Sequence, residues 1–327
     1  MKISVIGSGS FGTSLAILLT NKGNDVILYG RNEVQMKMIE ATGGNHKYLP
    51  GVILPKELKA TSDLKYAVSG RDLLVMAVPA QSFRDTSKKV SEITSDTPIV
   101  NVAKGIERGT LKRMSEIAKE YFEGTPYACL SGPSHAEEVA RNLPTTVCAA
   151  SDDPEFAELV QHVFMDDNFR VYTNDDLTGV ELGGSVKNVI ALCCGVSDGL
   201  GLGDNAKAAL ITRGIAEMTR LGTAMGGKPE TFAGLSGIGD LVVTCTSMHS
   251  RNRRFGILLG QGMPIDQALE RIGMVVEGYT TQEAVNELAL KYNVEMPITS
   301  TLHKLLEGET SAEECIGLLM GRKEKHE

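Results

Sequence analysis

The sequence contains no tryptophan, and only 5% of its 327 residues are aromatic. We also expect no membrane-spanning segment, because no apolar run looks long enough to span a membrane. We expect no cleaved leader, because the first predicted strand begins at Lys2 with no basic and apolar segment before it. These absences exclude an integral membrane protein and favour a soluble one.

Cysteine is present, but not in metal-binding patterns. The six cysteines form no C-x-x-C motif and no Cys/His cluster with the spacing of a zinc site, so we expect no metal centre. Most of them lie among apolar neighbours, which predicts reduced thiols in the core and a cytoplasmic location. The cysteines are Cys129, Cys148, Cys193, Cys194, Cys245 and Cys315.

A basic excess is also missing, since 33 Lys and Arg residues stand against 41 Asp and Glu residues, for a formal charge of −8. This balance argues against a general nucleic-acid-binding protein, which would normally be basic. It leaves an anionic small molecule open, because a few local cations can set the potential of a cleft. With 42% hydrophobic residues, a chain of this length can form a large core and more than one domain.

The residues that are present begin with a glycine motif. Residues 2–12 read KISVIGSGSFG, a β-branched run followed by Gly7, Gly9 and Gly12 and then by an apolar helical stretch. Strand, glycine turn and helix together form a pyrophosphate site, with the N–H groups of the helix start facing the anion. The context favours dinucleotide binding. A glycine-rich turn without a ligand is the alternative, since the chain has 35 glycines.

The end of the second predicted strand, Asp25–Tyr29, indicates which dinucleotide binds. A site that prefers NAD usually has Asp or Glu there, whereas this chain has Gly30, Arg31 and Asn32. An arginine at this position can pair with a 2′-phosphate and stack on adenine. The sequence therefore favours NADP(H) over NAD(H), with NAD(H) as an accepted alternative. A solvated arginine in a surface turn would fit the same residues.

The order of predicted elements defines the fold class. Apolar strands alternate with helical segments at 72–80, 97–105, 126–133 and 145–150, which predicts a mostly parallel sheet. From Gly179 onward apolar residues recur at helical spacing. We predict an α/β protein: a Rossmann-type, doubly wound, dinucleotide-binding domain over 1–178, then an all-helical domain over 179–327 that binds substrate and carries the catalytic residue. We expect the site between the two domains.

Several helix boundaries follow from local signals. A helix is predicted to start at Pro264, and capping-box spacings predict helix starts at Thr280 with Glu283 and at Thr310 with Glu313. The charged C-terminal segment RKEKHE is predicted to be a frayed tail.

Ligands of open α/β sheets bind at the carboxyl ends of the strands, and polar segments occupy two of these ends. Lys104 is predicted to be the last residue of a strand, and Ser131–His135 forms a polar loop between a strand and a helix. A surface lysine and an ordinary turn are the simpler interpretations. His135 alone, without a carboxylate paired to it in sequence, is a weak candidate for a proton donor.

In the helical half, Lys187 is a charged residue in a small and apolar segment, GGSVKNVIA. Burial lowers the pKa of an ammonium group toward the range useful for proton transfer, although a lysine at a helix edge can also reach solvent. Asp240 follows two glycines and is a candidate to orient Lys187. Arg251 and Asn252 are predicted to open a helix, where a guanidinium fork, an amide and N–H groups suit a phosphate.

These motifs also carry a resemblance to a known family. The chain resembles the soluble bacterial NAD(P)-dependent glycerol-3-phosphate dehydrogenases over essentially its whole length. One position departs from the commonest pattern, since many members have Trp where Phe11 stands. The matching segments are GSGSFG at 7–12, AVPAQ at 77–81, NVAKGIE at 101–107, SGPSHAEEVA at 131–140, ELGGSVKNVIAL at 181–192, SGIGDLVVTC at 236–245, SRNRRFG at 250–256 and VVEGYTT at 275–281.

The resemblance implies reversible reduction of dihydroxyacetone phosphate to sn-glycerol 3-phosphate for phospholipid synthesis, by a homodimer. It implies that Lys187 is the general acid/base. Implied substrate contacts are Lys104, Gly132, Ser134, Lys187, Asp240, Ser250, Arg251 and Asn252. Implied cofactor contacts are Ser10, Phe11, Arg31, Lys104, Ala136, Arg251, Val275 and Glu277.

Three other hypotheses stay open at this point. Another hydride-transfer enzyme of the same superfamily would act on a 3-hydroxy acid or a sugar acid, although the residues Ser250 to Asn252 favour a phosphate. A non-catalytic NADP(H)-binding regulator would not need Lys187 in an apolar helix. A structural scaffold would have no use for these clustered polar positions.

Overall fold

A computed structural model describes residues 1–324 of the chain. Of the predicted frayed tail, residues 325–327 lie outside this range. The chain forms two compact units, the first made of residues 1–104 and 112–181 and the second of residues 105–111 and the residues from 182 onward. The predicted division into domains 1–178 and 179–327 stays a prediction, since it also assigns a function to each part.

The first unit is built on one eight-stranded sheet with the strand order β3-β2-β1-β4-β5-β6-β7-β8. All neighbouring strands are parallel except β6 and β7, which are antiparallel. This confirms the predicted Rossmann-type sheet, in which strand order reverses on either side of β1. The strands are β1 (Lys2–Ile6), β2 (Asp25–Tyr29), β3 (Lys59–Thr61), β4 (Leu73–Met76), β5 (Ile99–Asn101), β6 (Tyr127–Ser131), β7 (Thr145–Ala150) and β8 (Phe169–Asn174).

Alternation along the strands creates a core on each face of this sheet. Ile3 and Val5 of β1 belong to one buried cluster, while Ile6 belongs to another with Leu74 and Met76 of β4. Successive side chains of a strand point to opposite faces, so both faces must be covered. The covering helices are α1 (Ser10–Asn21), α2 (Glu33–Thr42), α3 (Leu64–Val68), α4 (Phe83–Ser91), α5 (Met114–Tyr121), α6 (Ala136–Ala140) and α7 (Pro154–Phe164), with a 3₁₀ turn at Ala80–Ser82.

The second unit contains helices and no strand among its described residues, as predicted. Its helix α8 (Leu177–Gly199) begins in the first unit, which extends to Glu181, and is capped by Asp176, whose Oδ1 accepts the N–H of Gly179 at 2.8 Å. The expectation that no apolar run is long enough to span a membrane is wrong by length and composition, because this helix passes both tests, but 94% of its most apolar window is buried within the protein. It is therefore a core helix.

The remaining helices of the second unit follow in chain order. They are α9 (Gly203–Ala224), α10 (Pro229–Phe232), α11 (Asp240–Thr246), α12 (Arg251–Gly260), α13 (Ile265–Ile272), α14 (Glu277–Lys291), α15 (Pro297–Leu306) and α16 (Ala312–Met320), with a π turn at Leu235–Gly239.

Residues 105–111 belong to the second unit, although the residues on both sides of them in the sequence belong to the first. Within residues 105–111, the Arg108 guanidinium donates to the carbonyl of Thr280 at 2.9 Å and pairs with Glu283 at 3.1 Å. These contacts fasten the segment to helix α14. A sequence pattern does not reveal such a crossing, because it depends on residues more than 170 positions away.

Some predicted boundaries are wrong. Helix α14 begins at Glu277, so Thr280 lies inside the helix and does not cap it. The capping box of α16 is formed by Ser311 and Glu314, one residue later than the predicted pair Thr310 and Glu313. The start of α13 after Pro264 is confirmed.

Candidate active site

The glycine turn between β1 and α1 has the shape that a bound phosphate requires. Gly7 has a φ of +124°, and a Cβ there would lie 2.3 Å from the carbonyl oxygen of Ala77. A Cβ on Gly12 would lie 2.0 Å from the carbonyl oxygen of Gly7. A Cβ on Gly9, in contrast, would meet no atom within 4 Å. Two glycines thus permit close packing, and the third leaves the turn open on one side.

The backbone donors at this turn are also available. The Gly7 N–H donates to Tyr29 O at 2.9 Å, and the next N–H in the described chain with a backbone acceptor is that of Thr13, which donates to Gly9 O at 3.0 Å. No side chain caps α1. The N–H groups of residues 9–12 therefore lie at the positive end of the helix dipole, where an anion is stabilised. Turn and helix start together fit the pyrophosphate of a dinucleotide.

Arg31 follows the end of β2, as predicted. Its side chain is exposed and makes no hydrogen bond or ion pair with any residue in the range 1–324. Gly30 lies against the glycine turn, since a Cβ on it would be 2.3 Å from Ser8 Oγ. Glu33 pairs with Lys37 one helical turn along α2, at 2.6 Å. Arg31 is the first charged residue after β2, and the first carboxylate, that of Glu33, is already paired with Lys37.

Three predicted site residues meet at the ends of β5 and β6. Lys104 Nζ donates to the carbonyl of Gly132 at 3.0 Å, and Ser134 Oγ donates to the same oxygen at 2.9 Å. Gly132 has a φ of +138°, and a Cβ there would lie 2.9 Å from Val147 Cα, so only glycine fits. One detail was wrong: β5 ends at Asn101, and Lys104 lies three residues beyond it.

The other predicted cofactor contacts of the first unit lie at the starts of helices α1 and α6. Ser10 opens α1, and its hydroxyl donates to the carbonyl of Tyr48 at 2.6 Å. Phe11 is half-buried and packs against the apolar cluster of the sheet. Ala136 is the buried first residue of α6.

In the second unit, Lys187 is buried together with a carboxylate. Only 6% of Lys187 and 2% of Asp240 is exposed, and Lys187 Nζ lies 2.8 Å from Asp240 Oδ1. The ammonium also donates to Thr244 Oγ1 at 2.8 Å, while that hydroxyl donates to the Asp240 carbonyl at 2.6 Å. A carboxylate at this distance favours the charged form of a lysine and fixes its direction. This constellation can position a proton.

The sequence did not identify Thr244 as a partner of Lys187. A signal was available, because it follows Asp240 by four residues and so lies on the same face of α11. The approach of α11 to α8 depends on Gly183, where a Cβ would lie 2.6 Å from the carbonyl oxygen of Ser236 in the π turn. Gly183, four residues before Lys187, therefore permits this close packing.

The start of α12 holds the predicted phosphate residues. Ser250 caps the helix by accepting the N–H of Arg253 at 3.2 Å, which confirms the predicted helix start. Arg251 is half-buried at the first helical position. Neighbouring Arg253 pairs with Asp198 through Nε at 2.7 Å.

Asn252 is buried in a chain of amide contacts. Its Nδ2 donates to Asn188 Oδ1 at 2.8 Å, and its Oδ1 accepts the N–H of Gly278 at 2.8 Å. These two bonds connect α12 to α8 and to α14. The α8 partner, Asn188, directly follows Lys187 in the sequence. Asn188 was missed by the sequence analysis because nothing local distinguishes it from a helix residue with a satisfied side chain.

Val275 and Glu277 lie at the start of α14. Val275 is 40% exposed just before the helix, and Glu277 is its first residue. All six cysteines are buried, as predicted, and burial raises the pKa of the Cys129 and Cys193 thiols. Residues 1–324 contain no group of three His, Cys, Asp or Glu side chains that could hold a metal ion.

A Rossmann-type sheet with an open phosphate turn, and a helical unit with a buried lysine held by a carboxylate, define an NAD(P)-dependent dehydrogenase. Family models described as the N-terminus and the C-terminus of NAD-dependent glycerol-3-phosphate dehydrogenase match residues 2–157 and 176–317. The chain belongs to the NAD-dependent glycerol-3-phosphate dehydrogenase family.

Individual relatives agree with this family over their whole length. The chain is 52% identical to a glycerol-3-phosphate dehydrogenase [NAD(P)+] of Moorella thermoacetica, covering 99% of this chain and 97% of the relative. It is 51% identical to the enzyme of that name from Clostridium perfringens, covering 100% and 99%. The crystal structure of a glycerol-3-phosphate dehydrogenase from Coxiella burnetii superimposes with a TM-score of 0.95 at 41% identity, covering 98% and 99%.

These findings confirm the resemblance, the fold class and the NAD(P)-dependent oxidoreductase activity predicted from the sequence. The preference for NADP over NAD and the roles of individual residues stay predictions.

Proposed function

We propose that this chain reversibly reduces dihydroxyacetone phosphate to sn-glycerol 3-phosphate with NAD(P)H, and that Lys187 is its general acid/base. The observation that carries the proposal is the buried Lys187 ammonium, held at 2.8 Å by both Asp240 and Thr244. The bound nicotinamide supplies the hydride that reduces the ketone carbon. Lys187 stabilises the negative charge that develops on the C2 oxygen and donates a proton to it.

The residues that contact Lys187 hold its ammonium in position for this step. Asp240 pairs with the charge of the ammonium and limits its rotamers, and Thr244 accepts a second hydrogen bond from it. Because the site is buried, these interactions are stronger than in water. In the oxidative direction, Lys187 accepts the proton from the C2 hydroxyl.

The phosphate of the substrate is proposed to bind at the start of α12. Arg251 offers a planar fork of donors, and the helix start offers N–H groups and a positive dipole end. Ser250 and Asn252 add a hydroxyl and an amide on either side. Binding energy at the phosphate then positions the reacting carbon. Lys104, Gly132 and Ser134 are proposed as further substrate contacts.

The cofactor is proposed to bind along the glycine turn of Gly7, Gly9 and Gly12, with NADP(H) preferred and NAD(H) accepted. Support for this preference comes from exposed Arg31, which is unpaired within the described range and stands where an NAD-specific site has a carboxylate. Further contacts are proposed for Ser10, Phe11, Lys104, Ala136, Arg251, Val275 and Glu277.

The product supports glycerophospholipid synthesis, the usual role of this family. We also propose a cytoplasmic location and a homodimer. The buried thiols support the first, and the family resemblance supports the second.

The direct test follows nicotinamide absorbance with dihydroxyacetone phosphate and either NADPH or NADH. The proposal expects cofactor oxidation with this substrate and little with 3-hydroxy acids assayed in reverse. Turnover of a 3-hydroxy acid, with none of the phosphorylated substrate, would assign the chain a different substrate. Binding of NADPH without any turnover would favour a regulator.

A further inference from the structure

The segment between α2 and β3, residues 43–58, has no helix or strand, yet part of it is deeply buried. Asn45 is 1% exposed, and Leu49 and Leu54 belong to the apolar cluster of the first unit. Asn45 is held in a turn by its own backbone, since its carbonyl accepts the N–H of Leu49 at 2.8 Å. A buried asparagine in a loop needs partners for its amide.

Those partners belong to the glycine turn. Asn45 Nδ2 donates to the carbonyl of Ser8 at 2.9 Å and to Thr13 Oγ1 at 2.8 Å. Gln35 Nε2 lies 3.2 Å from Asn45 Oδ1 and 3.3 Å from the same Ser8 carbonyl. The Ser8 carbonyl therefore accepts two side-chain amides, and the nearer one is buried.

The direction of this carbonyl determines the direction of the next N–H. The peptide bond between Ser8 and Gly9 is trans and planar. In a trans peptide, C=O and N–H point in opposite directions. With its Ser8 oxygen held toward Asn45, the peptide turns the Gly9 N–H to the opposite side, and this N–H has no backbone acceptor in the part of the chain that the structure describes.

We infer that Asn45 is a positioning residue of the pyrophosphate site: its amide holds the Ser8 carbonyl so that the Gly9 N–H faces the cofactor phosphates. The inference rests on the proposed function, in that the glycine turn binds NAD(P)H. The pyrophosphate is common to both cofactors, so Asn45 acts on NADPH and NADH alike. Arg31, in contrast, is proposed to act only on the 2′-phosphate of NADPH.

The test measures the Kd of NADPH and NADH by nicotinamide fluorescence for wild type, Asn45→Ala and Thr13→Val. Thr13→Val is the matched control, because it removes the second partner of the same amide and leaves the Ser8 contact in place. We expect Asn45→Ala to raise both Kd values on the order of tenfold, as for an oriented donor to an anion. The kcat at saturating cofactor and the KM of dihydroxyacetone phosphate should stay near wild type, and Thr13→Val should bind both cofactors normally despite a lower Tm.

Equal Kd values for wild type and Asn45→Ala would overturn the inference, as would an equal rise in Thr13→Val, which would indicate general loosening. If Asn45→Ala does not fold, Gln35→Ala decides, because this half-buried residue contributes the second donor to Ser8. It should raise both Kd values by a smaller factor, and an unchanged Kd would overturn the inference. A wild type that binds neither cofactor would instead refute the proposed function itself.

Discussion

Asp240→Asn tests the central pair of the proposed active site. The substitution keeps the shape of the side chain and removes its charge, so that the Lys187 ammonium loses the carboxylate 2.8 Å away. At an effective dielectric constant of about 20, two charges at this separation attract by about 6 kcal/mol. Part of this attraction offsets the desolvation of both groups, and removal of one partner of a buried pair costs about 3–5 kcal/mol.

We therefore expect Asp240→Asn to lose about 3 kcal/mol of unfolding free energy, at the lower end of that range because the amide oxygen still accepts a hydrogen bond. The kcat should fall on the order of 10²-fold, since the proton donor is less well positioned. Urea unfolding followed by far-UV circular dichroism measures the first quantity. Nicotinamide absorbance measures the second.

Two further variants isolate the charge pair. Thr244→Val removes only the hydroxyl on the same ammonium and should cost less stability than Asp240→Asn. The double variant Lys187→Met with Asp240→Asn removes the unpaired charge and should recover much of the lost stability, but no activity. If Asp240→Asn costs less than about 1 kcal/mol, the pair is not desolvated as the structure indicates.

Other predictions concern separate parts of the molecule. Arg31→Ala should weaken NADPH binding by about 1.5–3 kcal/mol and leave NADH nearly unchanged; equal losses would assign Arg31 to stacking or to folding of the turn. Arg251→Lys keeps the charge but loses the fork, so it should raise the KM of dihydroxyacetone phosphate and lower kcat, with little further effect on unphosphorylated dihydroxyacetone; equal harm to both substrates would place the phosphate elsewhere. Arg84 and Lys112 lower the pKa of Glu120 to about 2, so the stability that they contribute should be lost as the pH falls from about 4.5 to 2. Glu120 is partly exposed, so Glu120→Gln should reduce this acid-induced loss by only about 1 kcal/mol, and an identical acid-unfolding curve would contradict the ion pairs.

Most of the sheet could be predicted because its strands are short apolar runs between glycine and proline signals. Both β2 (Asp25–Tyr29) and β7 (Thr145–Ala150) have their predicted bounds. Two strands were missed for different reasons. The strand β3 (Lys59–Thr61) has three residues and depends on pairing with β2, whereas β8 (Phe169–Asn174) does show alternation that a period-two pattern could have revealed.

The candidate site was predictable where a residue conflicts with its surroundings or repeats a family motif. Lys187 in an apolar helix is such a residue. Thr244, Asn188 and Asn45 are not, because each looks like an ordinary helix or loop residue until distant partners are known. Asn45 meets Ser8 across 37 positions, and Lys187 meets Thr244 across 57. Long-range contacts of this kind have no local pattern.

The central claim is that Lys187 is the acid/base for reduction of dihydroxyacetone phosphate, and the most direct test is the turnover of Lys187→Ala with NADPH binding measured on the same preparation. The account predicts a loss of 10³-fold or more in kcat, on the order expected when proton transfer and oxyanion stabilisation are lost together, with a nearly unchanged Kd for NADPH. Turnover close to that of wild type would contradict it.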